Sequence, residues 1–319
     1  MTIAWVLGAT GLLGSSLRRS LHLEDTATFA PAERFRWASP RALEPAMARA
    51  VEAFGGRVEG AGRWEIYWAA GIGTMSSSEH ELALETQALS LLLSLLGSDP
   101  RLMAKPGLIA FASSAGAIYA GSNDPIITED SSPAPTTPYA REKLKQEQLV
   151  RSFVEQSSAT AALLARISTL YGPGQSLSKK QGLLAHIARC ILRNDPIQIY
   201  VPFDTIRDYI LSDDAAMAII SSLRAVGGTR TSVTQILASE QPTTIAEIIS
   251  IFKRIARRPP RIVTSASGLS RLYSRRTQFR SLTKPVFPRT PRTSLLIGIA
   301  QVMAAERVAH MRGPDPRTA

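Results

Sequence analysis

Ile3-Ala4-Trp5-Val6-Leu7-Gly8-Ala9-Thr10-Gly11-Leu12-Leu13-Gly14 is the stretch that decides the fold. Ile3 to Leu7 is a continuous apolar run, as a strand buried on both faces of a parallel sheet requires. It runs directly into Gly-x-x-Gly-x-x-Gly, and a helical pattern follows with Leu12, Leu13, Leu17 and Leu21 on one face and Arg18 and Arg19 outside. Strand, glycine turn and helix in that order build a pyrophosphate site, because glycines let the backbone approach and the helix N-terminus faces the anion. Gly8, Thr10, Gly11, Leu12, Leu13 and Gly14 are therefore expected to hold a dinucleotide.

The rest of the chain is consistent with an α/β protein. Arg34 to Ala38 reads as the second strand, where an NAD-preferring site would place an Asp or Glu on the adenosine ribose. The chain offers Arg36, Ser39 and Arg41 there instead. An arginine at this strand end suits a 2′-phosphate, so the expected cofactor is NAD(P), with NADP favoured. A helix over Arg41 to Phe54 and a loop from Gly55 to Arg63 lead to a buried strand over Trp64 to Ala70. Its small C-terminal residues Ala69 and Ala70 would let the backbone lie close to the cofactor. Glu79 to Leu96 reads as a long leucine-rich helix. Leu108 to Ala112 reads as a further strand, which delivers Ser113 and Ser114 to the sheet end where open parallel sheets bind ligands.

Composition narrows the class. The chain has 319 residues, 45% of them hydrophobic, enough for a packed core. The single cysteine, Cys190, excludes an intrachain disulfide and a thiolate cluster, and the four histidines are too scattered for a local ligand motif. No metal site is expected, and a reducing cytoplasm fits. Met1 to Ser20 lacks a basic residue before its apolar stretch and reads as a strand and turn rather than a signal peptide. The apolar run Leu295 to Ala305 is shorter than the roughly 20 residues that span a bilayer. The net charge is +11, but twelve Lys and Arg and no acid fall between Lys253 and Arg292, and the remainder is nearly neutral. Basicity this local, without a nucleic-acid module or a stacking-aromatic pattern, argues for a solvated or partner-facing surface rather than for nucleic acid.

Chemistry enters with Tyr139-Ala140-Arg141-Glu142-Lys143. Positions i and i+4 share a helix face, so the Lys143 ammonium would lie beside the Tyr139 phenol. A free tyrosine titrates near pH 10, and a neighbouring positive charge lowers that towards a range useful for proton transfer with a substrate hydroxyl.

Taken together, the chain resembles the extended short-chain dehydrogenase/reductase superfamily, in particular its NAD-dependent epimerase/dehydratase family. The matching pieces are Gly8 to Gly14, Phe111 to Tyr119, Tyr139 with Lys143, Arg166 to Gly174, and Arg207-Asp208-Tyr209-Ile210 followed by Asp213-Asp214, in order over about the first 220 residues. The resemblance implies a Rossmann-type doubly wound parallel sheet over residues 1–170 and about 208–240. It also implies a smaller, mostly helical substrate domain from 171–207 and 241–319. Further helices are read over Gln181 to Leu192, Asp213 to Val226 with Ser212 or Asp213 as cap, Ile245 to Ile255 and Ser294 to His310. Strands are read over Ile197 to Val201 and Val233 to Leu237, and the tail 313–319 is read as disordered.

By the same resemblance Tyr139 is the catalytic acid/base, Lys143 binds the nicotinamide ribose and lowers the tyrosine pKa, and a Ser113 or Ser114 hydroxyl bonds the reacting oxygen. Thr169 and Arg207 fall on substrate-binding positions, Arg207 where a nucleotide-sugar diphosphate is often gripped. The chain departs from the family pattern in several places. Ala115 stands where the strand-end Ser or Thr is common and Ser114 is one place earlier. Glu85 and Thr169 replace two common asparagines, and the Asp-Leu pair near adenine is missing.

The expected reaction is hydride transfer at a sugar carbon with Tyr139 managing the oxygen's proton. Ala115 and Gly116 occupy the places where related dehydratases carry Asp-Glu, which disfavours elimination, and the strand-end loop has no Cys for epimerisation beside a ketone. That leaves 4-epimerisation through a transient keto-sugar, or one-way reduction or oxidation, of a nucleotide-sugar substrate. The alternatives are an NADP-dependent reductase of a smaller carbonyl compound and a non-catalytic NAD(P)-binding regulatory protein. A homodimer is among the expected partners, and a membrane is not.

Overall fold

The computed structural model describes residues 1–71, 73, 77–175, 182–264, 276–283 and 292–312. β1 (Thr2–Leu7) opens into α1 (Leu12–Leu23), then β2 (Ala27–Phe29), α2 (Pro40–Val58), β3 (Arg63–Trp68), α3 (Glu79–Ser98), the short α4 (Pro100–Met103), β4 (Gly107–Ser114), the single turn α5 (Ala115–Ile118), α6 (Pro138–Gln156) and β5 (Thr160–Ile167). β6 (Thr169–Tyr171), α7 (Leu183–Arg193), β7 (Ile197–Ile199), β8 (Ile206–Leu211), α8 (Ser212–Ala225), β9 (Ser232–Leu237), β10 (Pro242–Thr244), α9 (Ile245–Ala256), β11 (Ile262–Thr264) and α10 (Leu295–Arg312) follow.

The main sheet has the order β2-β1-β3-β4-β5-β9, and every pairing in it is parallel. Strand alternation explains its two faces. Ile3, Trp5, Leu7, Ile109, Phe111, Ala162 and Leu164 pack against α2, α3 and α6. Ala4, Val6, Leu108, Ala110, Ala161, Leu163 and Ala165 pack against α1 and α8 on the other side. With both faces covered, the strands are apolar throughout, and the sheet is doubly wound. Its order reverses between β1 and β3, the switch point beside which ligands bind at the strands' C-terminal ends.

A third core, with Tyr171, Ile187, Ile191, Tyr209, Ile248, Phe252, Ile299 and Val302, joins α7, α9 and α10 to the edge of β6 and β8. Two small sheets, β10-β8-β6 and β11-β7, accompany these helices. Asp214 of α8 ties the entrance of α10 to the main body, accepting from the Thr293 N–H at 2.7 Å and its hydroxyl at 2.9 Å. Among the described residues no helix is long and apolar enough to cross a membrane.

Several sequence expectations need correction. Arg34–Ala38 is not a strand; the second strand is the earlier Ala27–Phe29. Phe35 and Trp37 alternate as strand residues would, but they stack over the sheet, Phe35 at 6.4 Å from Trp5 and Trp37 edge-on at 5.9 Å from Trp68. Aromatic packing has taken the place of ladder hydrogen bonds. The helix read to Phe54 continues to Val58, so the first four residues of the Gly55 to Arg63 loop are helical. At α8 the cap position is Leu211, without a side-chain bond. Gln181 and the tail 313–319 lie outside the described residues, as does much of the basic stretch.

Candidate active site

The glycine turn is built as its sequence demands. Gly8 has φ +79, and a Cβ there would come within 2.5 Å of the Ala69 and Ala70 backbone; one on Gly14 would come within 2.1 Å of the Gly8 carbonyl oxygen. β1, the turn, α1 and the end of β3 are thus in backbone contact, which requires small residues at each point. Gly11 is the N-cap of α1 and provides no side-chain cap. The first-turn N–H groups of Leu12, Leu13 and Gly14 have no intrahelical acceptor. Donors of this kind, with the positive end of the helix dipole behind them, fit a dinucleotide pyrophosphate.

At the C-terminal ends of β3, β4 and β5 lies a cavity of about 540 Å³. Leu13, Ala69, Ala70, Ser113, Ser114, Tyr139, Lys143, Thr169 and Arg207 all line it. Gly8, Thr10, Gly11, Leu12, Gly14, Arg36 and Arg41 do not. Arg36 and Arg41 are exposed, in the loop after β2 and in the first turn of α2. Because β2 ends at Phe29, both stand well beyond the strand end. The first acid after β2 is Glu33, and it accepts two bonds from Arg49, at 2.6 and 3.0 Å.

α6 positions the tyrosine and lysine. Thr137 is its N-cap and accepts from the Ala140 N–H at 3.2 Å, and Pro138 occupies the first turn. Tyr139 is partly exposed to the cavity. One turn further, the buried Lys143 ammonium lies 5.8 Å from the centre of the Tyr139 ring and 5.1 Å from that of Phe111. Its Nζ donates to Gln146 Oε1 at 2.9 Å and is 3.9 Å from Glu85 Oε2. Glu85 also accepts from the Gly73 N–H. The expected lowering of the tyrosine pKa is not what the structure shows. Burial, and then the Glu85 carboxylate, hold the phenol well above its ordinary value, and hydrogen bonding with Ser114 offsets only part of this.

The two serines of β4 point to opposite faces, as successive strand residues must. Ser113 donates to Glu147 Oε1 at 2.6 Å, inside a buried network in which Arg166 grips Glu147 at 2.9 and 2.7 Å and donates to the Tyr119 hydroxyl. Ser114 is the one that meets the Tyr139 phenol. Arg207 reaches the cavity from β8, where its Nη1 donates to the Ile206 carbonyl at 2.8 Å and to Thr277 Oγ1 at 3.5 Å. The neighbouring Asp208 is an anchor: buried, it accepts from Ser168 at 2.7 Å, from both groups of Ser239 and from the Gln241 N–H, while burial raises its pKa.

The sequence reading noted Glu85 as a departure from a common asparagine but not its place beside Lys143, although an inward-facing acid in a leucine-rich helix was an available signal. It also missed Thr277 and Phe279, which line the cavity because Ile127 pairs with Phe279 across 152 residues of chain. No local pattern announces such a contact.

A family model for the NAD dependent epimerase/dehydratase family matches residues 4–233. A curated relative, dTDP-4-dehydro-6-deoxyglucose reductase from Escherichia coli, is 34% identical over 119 residues, which is 37% of this chain and 37% of that protein. The alignment thus spans little more than a third of the relative. Among solved structures, MoeE5 in complex with UDP-glucose and NAD superimposes with a TM-score of 0.77 at 19% identity, covering 97% of this chain and all of that one. RMD from Pseudomonas aeruginosa complexed with NADPH does so with a TM-score of 0.75 at 19% identity, covering 96% and 100%. These likenesses in fold cover nearly the whole chain, and the family match spans the glycine turn and the Tyr139–Lys143 pair. The chain belongs to the NAD dependent epimerase/dehydratase family.

Proposed function

We propose that the chain is an NAD(P)-dependent nucleotide-sugar epimerase or oxidoreductase that transfers hydride at a sugar carbon. The observation that carries this reading is the convergence of Ser114, Tyr139, Lys143 and Arg207 on one cavity beside the glycine turn. When bound, the dinucleotide supplies the hydride acceptor or donor. Gly8, Gly11 and Gly14 shape its cradle, and the Leu12, Leu13 and Gly14 N–H groups hold its pyrophosphate. Ser114 and Tyr139 hold the reacting oxygen between two hydroxyls, and Tyr139 gives or takes its proton. Lys143 orients the ribose from the α6 face. Arg207 meets the substrate diphosphate, for which a guanidinium fork is suited.

In this reading residues 1–170 with about 208–240 bind the dinucleotide, and 171–207 with 241–319 bind the sugar nucleotide. Arg36 and Arg41 favour NADP, since the first acid after β2, Glu33, is held by Arg49. The E. coli relative, a reductase named for a dTDP-linked keto-sugar, supports the substrate class. The single cysteine suits a cytoplasmic location.

Calorimetry with UDP, dTDP and other nucleoside diphosphates tests the substrate reading. Each charge-assisted bond is worth about 1.5–3 kcal/mol, so Arg207→Ala should weaken binding by about tenfold or more. If no nucleoside diphosphate binds in the millimolar range, a reductase of a smaller, uncharged carbonyl compound becomes the better account.

A further inference from the structure

We propose that Glu85 is a positioning residue that acts on Tyr139 together with Lys143, holding the phenol in its proton-donating form and so poising the site to reduce a sugar ketone. The inference rests on the nucleotide-sugar reading above and narrows its substrate to a keto-sugar.

The geometry begins in the sequence of α3. Leu82, Glu85, Leu89, Leu92 and Leu96 recur at three- and four-residue intervals, and the leucines are buried. Glu85 therefore faces inward by helical period. The capping box of Ser78 and Glu81 fixes the start of this helix and with it the rotation of the stripe. The carboxylate emerges opposite α6, 3.9 Å from the Lys143 ammonium, with side-chain exposures of 9% and 6%. Its other oxygen is held by the Gly73 N–H. Gln146 accepts from Lys143 and donates to Thr86 at 3.0 Å, so two successive α3 residues clamp the lysine.

An ammonium alone beside a buried phenol favours phenolate. With a carboxylate 3.9 Å from that ammonium, the pull of the lysine on the phenol is offset, and burial then favours the neutral group. Among the described residues, the other charged or titratable groups of the cavity are Tyr171 from β6 and Arg207, Asp208 and Tyr209 from β8. Asp208 is committed to Ser168, Ser239 and Gln241, and Arg207 sits against the Ile206 carbonyl and Thr277. The direction of the Tyr139 shift agrees with this arrangement.

A protonated phenol suits one half of the chemistry. As the carbonyl carbon gains a hydride and its π pair moves to oxygen, that oxygen takes the Tyr139 proton, and the phenolate left behind regains one from water. The reverse step must begin from phenolate, which such a site holds only in small amount at neutral pH.

The test is an ultraviolet titration of tyrosinate in the protein without added nucleotide, with Tyr139→Phe subtracted to isolate this phenol. Between about pH 8 and 11 the wild-type phenol should stay protonated, whereas Glu85→Gln should bring its ionisation into that range. Glu85→Asp, which keeps the charge, should restore most of the wild-type behaviour. In the pH profile for reduction of a dTDP-linked 4-keto-sugar, the loss of kcat at high pH should move down by the same shift in Glu85→Gln. Should Glu85→Gln fail to fold, Glu85→Asn serves in its place. Titration of Tyr139 unchanged on removal of the carboxylate overturns the proposal. Because the titration uses no sugar nucleotide, failure of the nucleoside diphosphates to bind would sink the substrate reading separately and leave the coupling of Glu85 to Tyr139 standing.

Discussion

Replacing Gly8 by alanine should be among the most damaging single-methyl additions in this protein. The residue has φ +79, and the new Cβ would lie 2.5 Å from the Ala69 carbonyl carbon and oxygen and the Ala70 nitrogen. Left-handed backbone costs an L-residue about 1–2 kcal/mol. Forcing a methyl into backbone at that distance adds about 1–3 kcal/mol, because β1 and the end of β3 must separate. The expected destabilisation is therefore about 2–5 kcal/mol.

Two companion variants isolate the parts. Gly174 has φ +82, but among the described residues nothing lies within 4 Å of its would-be Cβ, so Gly174→Ala should cost only the backbone part, about 1–2 kcal/mol. Gly116 lies in α5 with open space around it, and Gly116→Ala should be neutral or stabilising by up to about 1 kcal/mol. Urea unfolding of the three variants, compared at unchanged slope, measures the order. Dinucleotide titration should show weakened binding for Gly8→Ala and not for Gly174→Ala. A Gly8→Ala variant no less stable than Gly174→Ala would refute the close approach of β1 and β3 at this turn, and with it the shape of the cradle.

Tyr139→Phe keeps the ring but removes the proton carrier, so turnover should fall by about 10²-fold or more with dinucleotide affinity nearly unchanged; full activity would remove Tyr139 from the mechanism. Titration should show NADP(H) bound more tightly than NAD(H), with the gap narrowed by Arg36→Ala or Arg41→Ala; equal affinities in the wild type would remove the argument from the two arginines. Arg166→Met leaves the buried Glu147 carboxylate, among the described residues, with only the Ser113 hydroxyl, which should cost about 3–5 kcal/mol in urea unfolding. A loss below about 1 kcal/mol, the scale of exposed pairs, would show that water reaches the network.

The places where the sequence misled share a cause. Phe35 and Trp37 carry the alternation of a strand, yet alternation reports only that every second residue is buried, and a loop laid over a sheet satisfies that equally well. Ser113 and Ser114 cannot be told apart in sequence. Their different partners follow from the strand's two faces and from Glu147, 34 residues away. The reading that Lys143 lowers the Tyr139 pKa holds for the pair in isolation; it lacked the burial of the phenol and the carboxylate that α3 brings beside Lys143.

What the sequence by itself determined is whatever depends on neighbours in the chain. The apolar run into Gly8, Gly11 and Gly14 specified a parallel strand feeding a helix N-terminus, and the four-residue spacing of Tyr139 and Lys143 specified a shared helical face. These are properties of local geometry, set by side-chain period and by where a Cβ is tolerated. Only the tertiary structure decided which charges reach the phenol, which serine faces it and which distant segment closes the cavity. Those outcomes depend on contacts across 34 to 152 residues of chain, and no periodicity encodes them, because such contacts are selected by the packing of whole elements against one another.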